Sequence, residues 1–81
     1  MPFISVKAFP MDEAIKQKTA EAILEVFRTT WGAQPEWVTI AMEDVAPDEW
    51  DEKVVRAEIL SDSERILIRD GQKQYKEKTN E

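Results

Sequence analysis

The sequence predicts an α/β (α+β) chain organised around a single β-α-β unit followed by short C-terminal helices. Three stretches carry that expectation: an alternating apolar pattern at Phe3–Phe9, a helical period from Asp12 to Trp31, and a second alternating run at Trp37–Met42. Two strands separated by a helix of about five turns should run parallel with a right-handed crossover.

In the first strand Ile4, Val6 and Ala8 fall on one side, and Phe3, Ser5, Lys7 and Phe9 on the other. Pro10 ends it, because proline has no N–H to give to a ladder. Asp12 is placed to cap the helix, with Glu13 in the first turn where the helix dipole favours negative charge. Ile15, Thr19, Ala22, Ile23, Val26, Phe27 and Thr30 form the expected apolar stripe, leaving Lys16, Gln17, Glu21 and Glu25 to face away. Gly32 stands where a left-handed C′ residue belongs, and Pro35 follows soon after. In the second strand Val38, Ile40 and Met42 alternate with Trp37, Thr39 and Ala41.

Further on, Ala46-Pro47-Asp48 reads as a turn into a short helix around Glu49–Leu60 that carries Trp50, Val54, Val55, Ala57 and Ile59. Ser61 and Glu64 have capping-box spacing, which predicts another short helix through Ile68, closed by Gly71. From Gln72 the chain is polar with Tyr75 its only aromatic, the composition of a frayed tail. Two parallel strands under one helix leave open edges and an uncovered face. Phe3 and Phe9 on that face suit a sheet continued across a two-fold axis by a second subunit.

The composition narrows the function classes. With 81 residues there is room for one domain, and a domain this small buries only about 60–65% of the surface its unfolded chain exposes. Cysteine and histidine are both absent, which removes disulfides, thiolate zinc sites and imidazole chemistry together. No metal and no other cofactor is therefore expected, and a homo-oligomer is the remaining way to complete the core. A net charge of −6 repels phosphate backbones and anionic lipid, arguing against nucleic-acid and membrane roles. Neither a spanning segment nor a signal-peptide pattern is present in the sequence, so a cytoplasmic address is expected.

In this short inventory Pro2 stands out as a candidate catalyst. Removal of the initiator methionine ahead of a small residue would leave a secondary amine at the start of a strand. An ordinary α-amino group has a pKa of roughly 8, and apolar surroundings or a nearby cation lower it. A neutral amine near pH 7 can take a proton from carbon and return it elsewhere, which is keto–enol tautomerisation. The ring also fixes φ and limits the freedom of the lone pair.

Met1-Pro2-Phe3-Ile4-Ser5-Val6-Lys7, the Asp12–Trp31 helix and Pro35-Glu36-Trp37-Val38-Thr39-Ile40 resemble the 4-oxalocrotonate tautomerase family of the tautomerase superfamily. The resemblance is closer to its PptA group, through Lys7-Ala8-Phe9-Pro10, Asp12-Glu13, Ile40-Ala41, Pro47-Asp48-Glu49-Trp50, Ala57-Glu58-Ile59 and Leu67-Ile68-Arg69-Asp70-Gly71. It covers residues 1–71, taken as the domain, and leaves 72–81 as a polar tail. The resemblance implies a tautomerase-type β-α-β subunit, a dimer, a catalytic Pro2 acting as general base and acid, and a small enol or 2-oxo acid as substrate. It also implies that Trp50 lines the site near the proline, desolvating the amine and stacking on a planar enol, with a core anchor for the short helix as its alternative role.

The chain departs from the family where substrate-binding arginines are common: those regions hold Met11-Asp12 and Thr39, which make no bidentate contact to a carboxylate. Lys7, which matches a lysine of the PptA group, and Arg56 are the candidate replacement cations, each with a surface role as its alternative. Hydration or dehalogenation of unsaturated acids by the same proline is a second reading, weakened by the missing arginines. A third is a non-catalytic dimeric binding protein that retains the fold.

Overall fold

The computed structural model describes residues 1–76. Strand β1 (Phe3–Ala8), helix α1 (Glu13–Trp31) and strand β2 (Thr39–Asp44) form the β-α-β unit. The two strands pair in parallel from Phe3↔Thr39 to Ala8↔Asp44. The ladder is prolonged at both ends, by Thr39 N–H donating to Pro2 O at 3.2 Å and Val45 N–H donating to Ala8 O at 2.8 Å. One face of the sheet, bearing Ile4, Val6, Ala8, Ile40 and Met42, is half-buried, while Phe3, Ser5, Thr39 and Ala41 on the other are exposed. That is the alternation expected of strands covered on one side only.

Helix α1 begins after Asp12, whose carbonyl accepts from Ile15 and Lys16 N–H at 3.1 Å each, although its side chain makes no capping bond. It ends at Gly32, which takes φ 67°, the left-handed conformation that glycine reaches without a Cβ penalty. Its inward face differs from the expected stripe. Ile15 and Val26 are 52% and 55% exposed, while Lys16, Thr19, Ala20, Ile23, Leu24 and Phe27 are half-buried. Lys16, expected to face away, instead lays its stem over the sheet, with only 17% of its side chain exposed. Its ammonium lies 2.8 Å from Asp44 Oδ1 at the end of β2, and 3.8 Å from Glu13. The aliphatic stem of lysine covers apolar surface while its head finds a partner, as a residue on the inward face of a helix can.

Trp37 lies in a 3₁₀ turn, Pro35–Trp37, ahead of β2 rather than in the strand. A second 3₁₀ turn, Pro47–Glu49, leads through Trp50 into a helix over Asp51–Ile59 that winds with π geometry, its end closed by Leu60 N–H bonding to Val55 O. The expected helix from Ser61 through Ile68 is not formed. Ser61 Oγ donates to Ala57 O at 2.6 Å, so it serves the preceding helix instead of capping a new one. A 3₁₀ segment, Leu60–Arg65, kinked at Asp62, is followed by extended backbone at Ile66.

Ile68–Arg69 (β3) and Gln72–Lys73 (β4) form an antiparallel hairpin. Asp70 and Gly71 at its turn have φ 50° and 77°, as a two-residue type I′ turn requires. Gly71 thus turns a hairpin rather than closing a helix. Pairing continues to Gln74, whose N–H donates to Leu67 O at 2.7 Å, so the stretch expected to be a frayed tail is ordered at its start. Residues 77–81 of that tail lie outside the described residues.

Among the described residues only Ala33, Val45 and Val54 are buried, and no large side chain is fully enclosed. The radius of gyration is 15.0 Å, against roughly 12 Å for a compact chain of this length. The accessible surface is 6849 Å², against roughly 5,000 Å² for a compact chain of this mass. A single copy is a flat, open body of 44 × 32 × 20 Å.

Two outcomes follow for stability. The side-chain hydrogen bond to Asp44, aided by the charges of Asp44 and Glu13 against some desolvation, raises the Lys16 pKa above its ordinary 10.5. A raised lysine pKa stabilises the fold fully below the unfolded value, and the contribution is lost as pH climbs through the folded one. Urea midpoints measured across the alkaline range should therefore fall with pH above about 10.5 in the unaltered protein and less so in Lys16→Met. Separately, an alanine Cβ at position 71 meets no atom within 4 Å, so Gly71→Ala bears only the positive-φ penalty. It should weaken the hairpin by about 1 kcal/mol, seen as roughly fivefold faster amide exchange at Gln74.

Candidate functional site

Pro2 enters the ladder through its carbonyl alone, which accepts from Thr39 N–H. That bond anchors the residue ahead of β1 and leaves its ring, half-buried, at the strand's start. Met1 is 93% exposed and so open to an aminopeptidase. While Met1 is attached the Pro2 nitrogen is a tertiary amide and accepts no proton; its removal creates the amine.

The other end of β1 carries a distinct constellation. The strand runs out at Ala8, Pro10 stops the ladder, and Phe9 is left to meet Trp50, which the Pro47–Glu49 turn brings across. The two rings pack edge to face with centroids 5.1 Å apart at 83°, the geometry that ring quadrupoles favour. Lys7, Phe9, Pro10, Met11 and Trp50 line a groove there. Lys7 forms an ion pair with Glu58 of the π-helix, with 30% of the lysine side chain and 51% of the glutamate exposed.

Of the residues singled out by sequence, Lys7 and Trp50 are thus brought together. Arg56 is apart from them, its side chain 72% exposed and 3.0 Å from Asp51 on its own helix. Pro2 is apart as well: seven residue steps of extended chain lead from it to Phe9, roughly 23 Å at 3.3 Å per residue. Within one copy the proposed catalyst and the aromatic lining do not meet. Phe9, Met11 and Glu58 are components that sequence reasoning passed over. Phe9 and Met11 flank the strand-ending Pro10, a signal available to inspection. Glu58 stands in the Ala57-Glu58-Ile59 stretch far along the chain from Lys7, and no local pattern pairs the two.

A second cavity, of about 220 Å³, lies between the π-helix and the hairpin, floored by Val55, Ile59, Ile66 and Ile68 with Arg69 and Asp70 at its rim. Among the described residues no group of three or more carboxylates is arranged to hold a metal ion, and no helix is long and apolar enough to cross a membrane. No protein-family model matches the chain, and no curated protein matches it.

The Phe9–Trp50 contact is measurable by a double-mutant cycle. Phe9→Leu, Trp50→Leu and the double variant, unfolded in urea, should give a coupling energy of about 0.5–1.5 kcal/mol.

Proposed function

We propose that the chain is a tautomerase in which Pro2, freed of Met1, moves a proton between carbon and oxygen of a small enol or 2-oxo acid. The observation that carries the reading is the placement of Pro2 directly ahead of β1, tied by its carbonyl to Thr39 and half-buried at an open sheet edge. The ordered series of residues from Met1 to Gly71 that resembles the 4-oxalocrotonate tautomerase family, and its PptA group in particular, supports it.

The chemistry needs only an amine of the right basicity. In the neutral form the Pro2 nitrogen accepts the enol proton, and the resulting ammonium returns a proton to carbon. Lys7 would neutralise the substrate carboxylate and Trp50 would exclude water. Because Pro2 and Trp50 lie at opposite ends of β1, one site requires two copies. An antiparallel pairing of β1 strands, centred between Ser5 and Val6, would set Pro2 opposite the partner's Phe9 and near the partner's Trp50. The open body of a single copy favours such a homodimer: its surface exceeds that of a compact chain by an amount on the scale of a stable interface.

A non-catalytic dimeric binding protein is the second reading. It is favoured by the pairing of both candidate cations with carboxylates, Lys7 with Glu58 and Arg56 with Asp51.

Intact mass and ketonisation of phenylenolpyruvate decide between them. The protein purified from its native cell should lack the methionine mass, sediment at twice the 9.4 kDa chain, and lose about 100-fold or more of kcat/KM on Pro2→Ala. Retained methionine with no ketonisation leaves the binding reading in its place, whereas normal turnover by a processed Pro2→Ala protein overturns Pro2 as the catalyst.

A further inference from the structure

The cavity between the π-helix and the hairpin shares no lining residue with the groove at the end of β1, and the tautomerase reading makes no use of it. Two of its lining residues, Arg69 and Asp70, are adjacent, exposed and of opposite charge. Among the described residues the other three arginines are each held by a carboxylate: Arg28 by Glu25, Arg56 by Asp51 and Arg65 by Asp62. Arg69 and Asp70 form no ion pair, either with each other or with another described residue.

From this arrangement we infer that the cavity binds a small zwitterionic amino acid with an aliphatic side chain, its carboxylate on Arg69 and its ammonium on Asp70. The inference goes beyond the proposed activity and does not rest on it.

The floor selects the body of the ligand. Val55, Ile59 and Ile66 are half-buried and Ile68 is 61% exposed, so the surface offered is aliphatic, without a ring for stacking. Sites for drug-sized molecules run roughly 300–1,000 Å³, and this one is about 220 Å³. It suits a smaller occupant with a branched or short linear apolar chain.

The rim selects the polar end. A simple carboxylate matches the planar fork of Arg69 but meets Asp70, and it is repelled by the field of a chain of charge −6. A simple amine matches Asp70 and meets Arg69. A molecule with both groups on one carbon offers each rim residue its opposite and, being neutral overall, is not opposed by that field. Arg69 pairs with Gln72 across a two-residue turn that contains Asp70, so the backbone holding both charges is anchored by the hairpin. Both contacts are solvated and contribute modestly; burial of the aliphatic body supplies the larger share. Binding breaks no bond and moves no proton.

The probe is L-leucine, titrated into the full chain while the backbone amides of Arg69, Gly71 and Gln74 are followed by NMR. Leucine should shift them and bind about two- to fivefold more tightly than 4-methylpentanoate, which lacks the ammonium, or 3-methylbutylamine, which lacks the carboxylate. Glycine, with both charges and no apolar body, should bind at least roughly tenfold more weakly. Asp70→Asn suits the positive φ of the turn and should abolish the preference for leucine over 4-methylpentanoate. Arg69→Gln should abolish the preference over 3-methylbutylamine. Exchange protection of the Gln74 amide reports whether each variant keeps its hairpin. Amides unmoved by leucine, equal affinity for leucine and the two single-charge analogues in the unaltered protein, or a preference over 4-methylpentanoate that survives Asp70→Asn overturns the site. Each of these outcomes is read without Pro2 turnover and leaves the proposed activity standing.

Discussion

Parallel strands cannot be joined by a tight turn, and the β1–β2 ladder imposes this constraint on the whole chain. The connection has to travel the length of the sheet and return, which α1 does in 19 residues. One helix covers one face, so the opposite face and both outer edges are left without cover from the unit itself. The half-buried series Ile4, Val6, Ile40 and Met42 and the exposed series Phe3, Ser5, Thr39 and Ala41 are the two sides of that arrangement. The length of β1 also separates the candidate residues. A strand has two ends, and Pro2 is fixed at one while Phe9 and Trp50 meet at the other.

Polar contacts rather than depth of packing set the local geometry. With three small or medium residues buried among the described residues, the helix is not locked by interdigitated large side chains. Its rotation is instead marked by Lys16, whose ammonium joins the first turn of α1 to the end of β2 through Asp44. Lys7 and Glu58 make the corresponding link between β1 and the π-helix. Both links are partly solvated, so each holds position more than it adds stability.

Sequence reasoning recovered what periodicity can report. The strand alternation at Phe3–Ala8, the helix closed by Gly32 and the parallel strand after Trp37 were legible because each repeats a local rule over several residues. The inward face of α1 was not, since Ile15 and Val26 are as apolar as Ile23 and Leu24, and the Lys16 partner Asp44 lies far along the chain. Ser61 and Glu64 have the spacing of a capping box, yet Ser61 Oγ found the Ala57 carbonyl first, a competition between neighbouring helices that spacing does not reveal. Asp70-Gly71 was legible and was misread: flanked by apolar and extended residues, that dipeptide signals a hairpin more strongly than a helix end. Of the site, Trp50 and Lys7 were chosen from a resemblance, and their proximity depends on a turn whose direction the sequence does not encode locally.

The two pairings of strands in this chain differ in reach. Phe3 and Thr39 must find each other across the entire crossover, whereas Arg69 and Gln72 are separated only by Asp70 and Gly71. Loop closure over long separations is entropically slower, and hairpins close in about 1–10 μs. The C-terminal turn is therefore able to form while the N-terminal sheet is still searching. The Arg69–Gln72 pairing can thus close on a shorter timescale than the Phe3–Thr39 pairing, whatever order the rest of the chain follows.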